Sequence, residues 1–232
     1  MKKIIAIDGP SGAGKSTIAK LLAEELGFEY LDTGALYRAT ALNLVRLGLD
    51  EKAPDNAITA ALEKTEVEFE KGRVLLNGED VSEEIRSPLA GHYASVFSAR
   101  GPVRAFLLQT QRNASVKADL VAEGRDMTTV VFPEAFIKIY LDASVEERTR
   151  RRTAELIAKE FAVDEERVRA EIIERDARDS GRELAPLKKA DDACYVDSTG
   201  LSKEEVLRRI IELVGGGKEL KDRPKTVKSG LQ

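Results

Sequence analysis

The sequence predicts an α/β fold in which a parallel sheet of five strands is flanked by helices. Short apolar segments alternate along the 232 residues with longer amphipathic segments, and this alternation is typical of a parallel sheet covered on both faces. The length fits one large domain, or one domain that carries an inserted subdomain. We therefore expect a single parallel core with additions to it.

The predicted core consists of strands and helices in regular alternation. Strands are expected at 3–7, 28–31, 119–123, 137–141 and 193–196. Residues 15–26 have apolar side chains at helical spacing and are followed by Gly27, which is a stop signal for a helix. Further helices are expected at 34–47 and 203–214, and between the later strands.

The middle of the chain has a different pattern. Residues 65–76 alternate between apolar and polar side chains, and Asn77-Gly78 adds a turn signal, so a small antiparallel hairpin is expected here. Pro88 and Pro102 follow it at positions where helices would begin. We interpret 62–100 as a small antiparallel β/α subdomain inserted into the parallel core.

The composition excludes several classes of protein. Hydrophobic residues make up 42% and charged residues 34%, which is too apolar for a disordered chain and too polar for a membrane protein. A net charge of −4, from 37 basic and 41 acidic residues, disfavours nonspecific nucleic-acid binding. Cys194 is the only cysteine, and the N-terminal apolar run stops at Asp8, too early for a signal peptide. We expect a cytoplasmic protein with neither nucleic acid nor membrane as partner.

A phosphate-binding loop is predicted between the first strand and the first helix. The pattern G-x-x-x-x-G-K-[ST] is matched by Gly9, Pro10, Ser11, Gly12, Ala13, Gly14, Lys15, Ser16 and Thr17. Glycines let backbone N–H groups surround phosphate oxygens, and the N-terminus of the helix adds partial positive charge. Lys15 is expected at the β- and γ-phosphates of a nucleotide, and the Ser16 hydroxyl at Mg²⁺.

The loop alone does not distinguish kinases from GTPases and motor ATPases. The sequence has no N-K-x-D motif for guanine and no clear Walker B strand ending in aspartate. The chain is also short for a motor ATPase, so a small-molecule kinase is the favoured class. A nucleotide-switched binding module without turnover is the alternative, and it would need no separate acceptor site.

Arginines outside the loop indicate a second site for an anion. Arginine binds phosphate with a planar, permanently charged fork, as a kinase with a phosphorylated acceptor requires. Thr33 and Arg38 follow the second strand, and Arg125 follows the third, at the strand ends where ligands bind in open α/β sheets. Predicted helices place further charged residues on shared faces: Arg148, Arg151 and Arg152 on one, and Arg175, Asp179 and Arg182 on the next.

Together these motifs resemble those of the bacterial-type cytidylate (CMP) kinases, a family of nucleoside monophosphate kinases. The matching segments are IDGPSGAGKST at 7–17, LDTGALYR at 31–38, EGRDMTTVVFPEA at 123–135, ERDARDSGRELAPL at 174–187 and DSTGLS at 197–202. The resemblance implies a P-loop kinase core, with an acceptor subdomain at about 62–100 and a mobile helical lid at about 148–182. The expected organisation is one domain at 1–214, with its core at 1–61 and 101–214, and a flexible tail at 215–232.

The resemblance also implies substrates and residue roles. CMP and dCMP are the implied acceptors, ATP the donor and Mg²⁺ the metal ion, with direct in-line phosphoryl transfer; UMP/CMP, shikimate and dephospho-CoA kinases are the alternatives on the same core. The implied acceptor-binding residues are Thr33, Arg38, Ser95, Arg104, Arg125, Asp126, Arg175, Asp179 and Arg182. Those implied in catalysis are Lys15, Arg125, Arg148, Arg152 and Arg175. We expect a monomer.

The base pocket follows from the same comparison. The resemblance assigns Ser95, Arg104 and Asp126 to cytosine, and the loop at 197–199 to adenine. Cytosine presents an amino donor beside acceptors, whereas uracil would place a carbonyl against the Asp126 carboxylate, so buried hydrogen bonds can discriminate between the two bases. Thr128 departs from the family, which usually has Gly or Ala there, and is expected to crowd the loop.

Overall fold

The computed structural model describes residues 2–70 and 72–215. Its strands are β1 (Ile4–Asp8), β2 (Glu29–Asp32), β3 (Val67–Glu70), β4 (Arg73–Leu76), β5 (Glu79–Asp80), β6 (Leu120–Gly124), β7 (Ile137–Asp142) and β8 (Cys194–Asp197). Its helices are α1 (Lys15–Leu26), α2 (Thr33–Arg46), α3 (Asp55–Leu62), α4 (Pro88–Phe97), α5 (Gly101–Lys117), α6 (Val145–Ala158), α7 (Glu165–Gly181) and α8 (Lys203–Gly215).

The main sheet has five parallel strands in the order β2-β6-β1-β7-β8, which confirms the predicted fold class. The register pairs Asp8 with Gly124 on one side of β6, and Asp32 with Glu123 on the other. The carboxyl ends of β1, β2 and β6 therefore lie side by side. Ligands bind at this edge in open α/β sheets, so the topology brings three separate loops to one place.

Two hydrophobic cores cover the faces of the sheet. One lies against α1 and α8 and contains Ile7, Leu22 and Ile210. The other lies against α2, α4 and α5 and continues into the small antiparallel sheet, where it includes Val74 and Leu76. Each fully buried leucine or isoleucine stabilises the fold by about 1.5–3 kcal/mol. The insert therefore packs on α2 and shares its apolar core.

The antiparallel sheet is ordered β3-β4-β5 and contains the predicted hairpin. Asn77 and Gly78 both have positive φ, as a two-residue turn between β4 and β5 requires. The sequence predicted this turn but not the strand after it, because β5 has only two residues. Helix α3 was also not predicted, since it buries only Ile58 and Leu62 and so has a weak periodic signal.

The predicted arginine-rich segment forms α6 and α7, which pack against each other. Helix α7 also contacts α4, so the arginine-rich segment reaches the insert. Gly215, which the sequence placed in the tail, is the last residue of α8, and residues 216–232 lie outside the described part of the chain. Across 2–70 and 72–215, no helix is both long and apolar enough to span a membrane.

Candidate active site

The carboxyl edge of the parallel sheet faces one open cleft of about 1240 Å³. The predicted acceptor-binding residues all line it: Thr33, Arg38, Ser95, Arg104, Arg125, Asp126, Arg175, Asp179 and Arg182. Six residues of the phosphate loop line it as well: Ser11, Gly12, Gly14, Lys15, Ser16 and Thr17. The other three predicted loop residues, Gly9, Pro10 and Ala13, are buried. The fold therefore brings two groups of anion-binding residues to one space.

The phosphate loop needs glycine where it leaves β1 and where it enters α1. Gly9 has a φ of 151°, and a Cβ built on it would lie 1.9 Å from the carbonyl oxygen of Leu141 on β7. Gly14 has a φ of 93° and immediately precedes α1. An L-residue with a side chain is strained in such a conformation. These glycines let the loop pass close to β7 and then place the N-terminus of α1 toward the cleft.

Lys15 is buried beneath the loop, with 5% of its surface exposed. Its ammonium group donates a hydrogen bond of 2.7 Å to the carbonyl oxygen of Pro10. Burial, reinforced by the positive charges of Arg125 and Arg175, lowers the pKa of Lys15 to about 7, although Glu123 and Asp8 oppose this shift. A bound polyphosphate would favour the charged form. The lysine is therefore poised to gain a proton when phosphate arrives.

Ser16, the predicted Mg²⁺ ligand, has an acidic partner that the sequence analysis missed. Its hydroxyl donates a hydrogen bond of 2.6 Å to Oε1 of Glu123, near the end of β6. Burial and the nearby Asp32 raise the pKa of Glu123, and Lys15 opposes them. An acidic residue on the neighbouring strand, beside the P-loop serine, is where a Walker B residue is expected, although the sequence was searched there only for aspartate. The available signal was an acidic residue in an otherwise apolar strand, Leu120–Gly124.

The proposed acceptor-phosphate region is organised around Asp179. This buried carboxylate accepts a hydrogen bond of 2.8 Å from Nε of Arg125, and it lies 4.0 Å from both Arg175 and Arg182. Burial would raise its pKa, but Arg125 and Arg175 outweigh burial and hold the pKa of Asp179 below its usual value. One carboxylate therefore orients three arginines that would otherwise repel one another.

Several arginine donors in this region are buried and have no hydrogen-bond acceptor. Within the described part of the chain, they are Nε of Arg38, Nε of Arg175 and Nη2 of Arg182. Arg38 is also held by Asp32 at 3.1 Å, and Asp32 caps the start of α2 by accepting a hydrogen bond from the amide of Ala35. Buried donors of this kind are costly unless a ligand satisfies them, and an anion such as phosphate does so best.

The predicted base pocket joins Asp126 and Arg104 directly in a buried ion pair. Arg104 also donates to the carbonyl oxygen of Ser98 and lies 5.8 Å from the ring centre of Tyr37. Burial raises the pKa of Asp126, while Arg104 and Arg182 oppose that effect. The pocket thus offers a carboxylate acceptor and a guanidinium donor in fixed positions.

Two other predicted acceptor residues already have protein partners. The buried hydroxyl of Thr33 donates to the carbonyl oxygen of Glu123 at 2.7 Å, which fixes the start of α2 against β6. Ser95 Oγ lies 3.4 Å from Nε of Arg178, which donates to it. Arg178 was not among the predicted site residues, although it lies within the same motif on α7 and lines the cleft.

The structure does not place Arg148 in the cleft, contrary to its predicted catalytic position. Its side chain is buried, donating to the carbonyl oxygens of Ala143 at 2.9 Å and Ser11 at 3.1 Å and pairing with Asp176. Arg148 therefore braces the phosphate loop from behind. Helical periodicity placed it on the same face as Arg152 but could not show that this face begins underneath the loop.

The arginines of α6 that line the cleft are Arg151 and Arg152. Arg151 donates to the carbonyl oxygens of Ala13 at 3.3 Å and Ser198 at 2.7 Å, and so connects the phosphate loop to the loop after β8. Arg152 pairs with Glu155 on its own helix at 2.8 Å. An exposed pair of this kind is weak, so Arg152 can exchange that partner for a ligand.

The arrangement can hold two anionic ligands end to end. The phosphate loop with Lys15 suits the polyphosphate of a nucleotide, and Ser16 with Glu123 offers oxygen atoms that could bind a metal ion. The arginines around Asp179 suit a second phosphate, and Asp126 with Arg104 suits a base with a hydrogen-bond donor beside acceptors. Such an arrangement fits phosphoryl transfer between two nucleotides.

Comparisons with known proteins agree with this geometry. A family model for cytidylate kinase matches residues 5–215. The cytidylate kinase of Thermotoga neapolitana is 49% identical over 210 residues, which are 90% of this chain and 96% of that protein. The cytidylate kinase of Geobacter sulfurreducens is 50% identical over 217 residues, which are 91% and 92% of the two chains. The crystal structure of an uncharacterized protein from Eubacterium ventriosum is similar in fold, with a TM-score of 0.52, 14% identity, and coverage of 93% of this chain and 99% of that one.

Proposed function

The chain belongs to the cytidylate kinase family and phosphorylates CMP, and we propose that ATP is its donor and dCMP a second acceptor. The γ-phosphoryl group passes directly and in line to the 5′-phosphate. The observation that carries this proposal is that the phosphate loop and the arginines around Asp179 face the same cleft. A nucleotide switch without turnover would have no use for the second group.

The proposed reaction needs no general base. An oxygen of the acceptor 5′-phosphate is already anionic near neutral pH, because the second pKa of a phosphate monoester is about 6. This oxygen forms a bond to the γ-phosphorus of ATP. The bond between the γ-phosphorus and the oxygen that bridges it to the β-phosphate breaks, and that oxygen leaves with ADP. Catalysis is therefore a matter of positioning and of stabilising charge.

The residues of the cleft divide these tasks. Lys15 neutralises the β- and γ-phosphates, and Arg125 and Arg175, which lie on the acceptor side, neutralise charge that develops during transfer. Arg152 serves as a mobile cation from α6. Ser16 and Glu123 are the residues that fit Mg²⁺, because hydroxyl and carboxylate oxygens are the ligands this ion prefers. When bound, Mg²⁺ withdraws charge from the donor phosphates.

Asp126 and Arg104, together with Ser95, determine the preference for cytosine over other bases. Asp126 accepts from the exocyclic amino group of cytosine, and Arg104 donates to the acceptors next to it. CMP and dCMP carry the same base, so this pocket by itself does not distinguish between them. Closure of α6 and α7 over the cleft excludes water that would otherwise hydrolyse the donor.

The test is an acceptor panel on the purified full chain. ADP release is followed with ATP and Mg²⁺ in the presence of CMP, dCMP, UMP, AMP or shikimate. Rapid turnover with CMP and dCMP and at least ten-fold slower turnover with the other acceptors is expected, on the order that one unsatisfied buried hydrogen bond confers. Equal rates with all acceptors, or no turnover with CMP, would overturn the proposal. Replacing ATP by GTP in the same assay tests the donor.

We also propose that the enzyme acts as a cytoplasmic monomer. The lone cysteine allows no disulfide within the chain, as is usual in a reducing compartment. Sedimentation equilibrium at micromolar concentration, with and without CMP, measures the assembly state directly. A dimer mass under these conditions would contradict the monomer.

A further inference from the structure

Thr128 lies in a buried turn directly after the base-pocket residue Asp126. Its hydroxyl donates a hydrogen bond of 2.7 Å to Oδ2 of Asp8, and its backbone amide donates to the same oxygen at 2.8 Å. The amide of Met127 donates to the other carboxylate oxygen, Oδ1, at 2.9 Å. Asp8 has no exposed surface. The side chain that the sequence expected to crowd this loop is therefore accommodated, and it completes a set of three hydrogen bonds.

These hydrogen bonds join the two halves of the active site. Asp8 is the last residue of β1 and immediately precedes Gly9, where the phosphate loop begins. Met127 and Thr128 immediately follow Arg125 and Asp126, which line the acceptor side of the cleft. Beyond the pairing of β1 with β6, the Asp8 carboxylate thus connects the start of the donor loop to the acceptor loop through three hydrogen bonds.

The buried position of Asp8 disfavours its ionised form. Burial raises the pKa of Asp8 to about 6, and the like charge of Asp126 adds to this effect, while the hydrogen bonds from Thr128 and Met127 oppose it. Lys15 faces Asp8 from α1 and favours its charged form, and Tyr140 faces it from β7. A protonated Asp8 could no longer accept at both oxygens from all three donors. The Thr128 hydroxyl therefore acts on a carboxylate that connects the two loops.

We propose that Thr128 is a positioning residue for phosphoryl transfer: its hydroxyl keeps Asp8 as the carboxylate that fastens the Arg125-Asp126 loop to the start of the phosphate loop. This role rests on the proposed function, because it concerns the spacing between donor and acceptor. Reacting groups must be aligned closely for transfer, so a small shift between the two loops lowers the rate when the hydrogen bonds to Asp8 weaken. Thr128 itself is buried and is not among the residues that line the cleft.

The test compares three variants with the unmodified enzyme. Thr128→Val keeps the shape of the side chain and removes the hydroxyl, whereas Thr128→Ser keeps the hydroxyl. Thr129→Val is the matched control, because the neighbouring Thr129 hydroxyl is buried and has no hydrogen-bond partner in the described structure. For each, kcat/KM for CMP is measured between pH 5 and pH 9. Substrate phosphates also titrate near pH 6, but they do so identically in every variant.

In Thr128→Val, the acid limb of the kcat/KM profile should shift to higher pH by about one unit, because the ionised form of Asp8 loses one hydrogen bond. This is the size expected when one hydrogen bond to a charged group is lost. Thr128→Ser should restore the original limb, and Thr129→Val should leave it in place. An unmoved limb in Thr128→Val, or an equal shift in Thr129→Val, would overturn the proposal. If Thr128→Val is too unstable to assay, Thr128→Ala is measured in its place, with the same expectation.

Thermal unfolding separates this proposal from the proposed function, because it needs no substrate. Losing the hydroxyl should lower the melting temperature more at pH 8, where Asp8 is ionised, than at pH 5, where it is largely protonated. An equal loss at both pH values would mean that the hydroxyl only fills space, and would overturn the proposal. Absence of CMP turnover in the unmodified protein would instead refute the proposed function and leave this measurement valid.

Discussion

Ser16 Oγ lies 2.6 Å from Oε1 of Glu123, although the two residues are 107 positions apart in the sequence. The contact exists because β6 pairs in parallel with β1, and α1 starts where β1 and its loop end. A P-loop hydroxyl is thereby oriented by a carboxylate on the neighbouring strand. We infer that the pair forms the Mg²⁺ site.

Replacing Glu123 by glutamine should raise the concentration of free Mg²⁺ that the reaction requires. Glutamine can still accept from Ser16 but carries no charge, so the apparent Mg²⁺ affinity should fall by about 10- to 100-fold, as for other residues that orient a metal ligand. The measurement is kcat as a function of free Mg²⁺ at fixed CMP and ATP. Glu123→Asp is the control that retains the charge and should lose less. An unchanged Mg²⁺ curve in Glu123→Gln would remove this residue from the metal site.

Binding of ATP should be accompanied by proton uptake near neutral pH. The pKa of Lys15 is about 7 in the protein alone, because of burial and two nearby arginines. Bound phosphates favour the ammonium form and raise this pKa, so the lysine takes up a proton when binding occurs at pH 7.5. Calorimetry in two buffers with different ionisation enthalpies measures the uptake, and Lys15→Met should abolish that part of it. Equal uptake in the variant would assign the proton to another group.

Lys15→Ala and Asp126→Ala should give different kinetic defects. In the proposed mechanism Lys15 neutralises the donor phosphates, so its loss should lower kcat by about 100-fold or more and leave CMP binding nearly intact. Asp126 is proposed to bind the base, so its loss should weaken CMP binding and reduce the preference for CMP over UMP by about ten-fold or more. Steady-state kinetics with both acceptors, together with CMP titration of each variant, measures the contrast. The same defect in both variants would contradict the separation of the two pockets.

Asp179→Asn should destabilise the protein and make it dependent on added anions. Arg125, Arg175 and Arg182 would face one another without their shared carboxylate, and breaking a buried ion pair costs about 3–5 kcal/mol. Sulfate should restore much of the lost melting temperature by taking the place of the missing charge.

The same variant has a defined pH signature. The pKa of Asp179 is lowered from its ordinary value of 3.8 in the folded state, so its stabilisation is full above that value and is lost as pH falls through the folded pKa. Unfolding free energies of the parent and Asp179→Asn should therefore converge in strong acid. A gap that stays constant from pH 7 to pH 2 would contradict this account.

Gly9→Ala should prevent stable folding. The added Cβ would lie 1.9 Å from the Leu141 carbonyl oxygen, and the φ of 151° is unfavourable for alanine, so a loss of about 3 kcal/mol or more is expected. Gly181→Ala is the matched control, because nothing lies within 4 Å of its added Cβ at the end of α7. Melting temperatures of the two variants make the comparison. A Gly9→Ala protein as stable as Gly181→Ala would show that the loop can move away from β7.

The sequence predicted most of the parallel core and the phosphate loop because their signals are local. Apolar runs predicted each strand of the main sheet to within a few residues, and the glycine pattern at 9–17 lies between a strand and a helix in the structure as expected. Short elements were not predicted, because they contain too few residues to give a local signal. Strand β5, with two residues, is too brief to produce a pattern of its own.

Other features depend on contacts between residues that are far apart in the chain, and no local pattern predicts such contacts. Arg148 was expected among the catalytic residues, but it lies behind the phosphate loop because α6 starts beneath that loop. Glu123 was overlooked as the partner of Ser16, and Thr128 was expected to disturb a loop that it in fact fastens to Asp8. A sequence records which charges a chain carries and how they are spaced along it. Which of them meet, and which are buried, depends on strand order and helix packing, because these set distances in space between residues far apart in the chain.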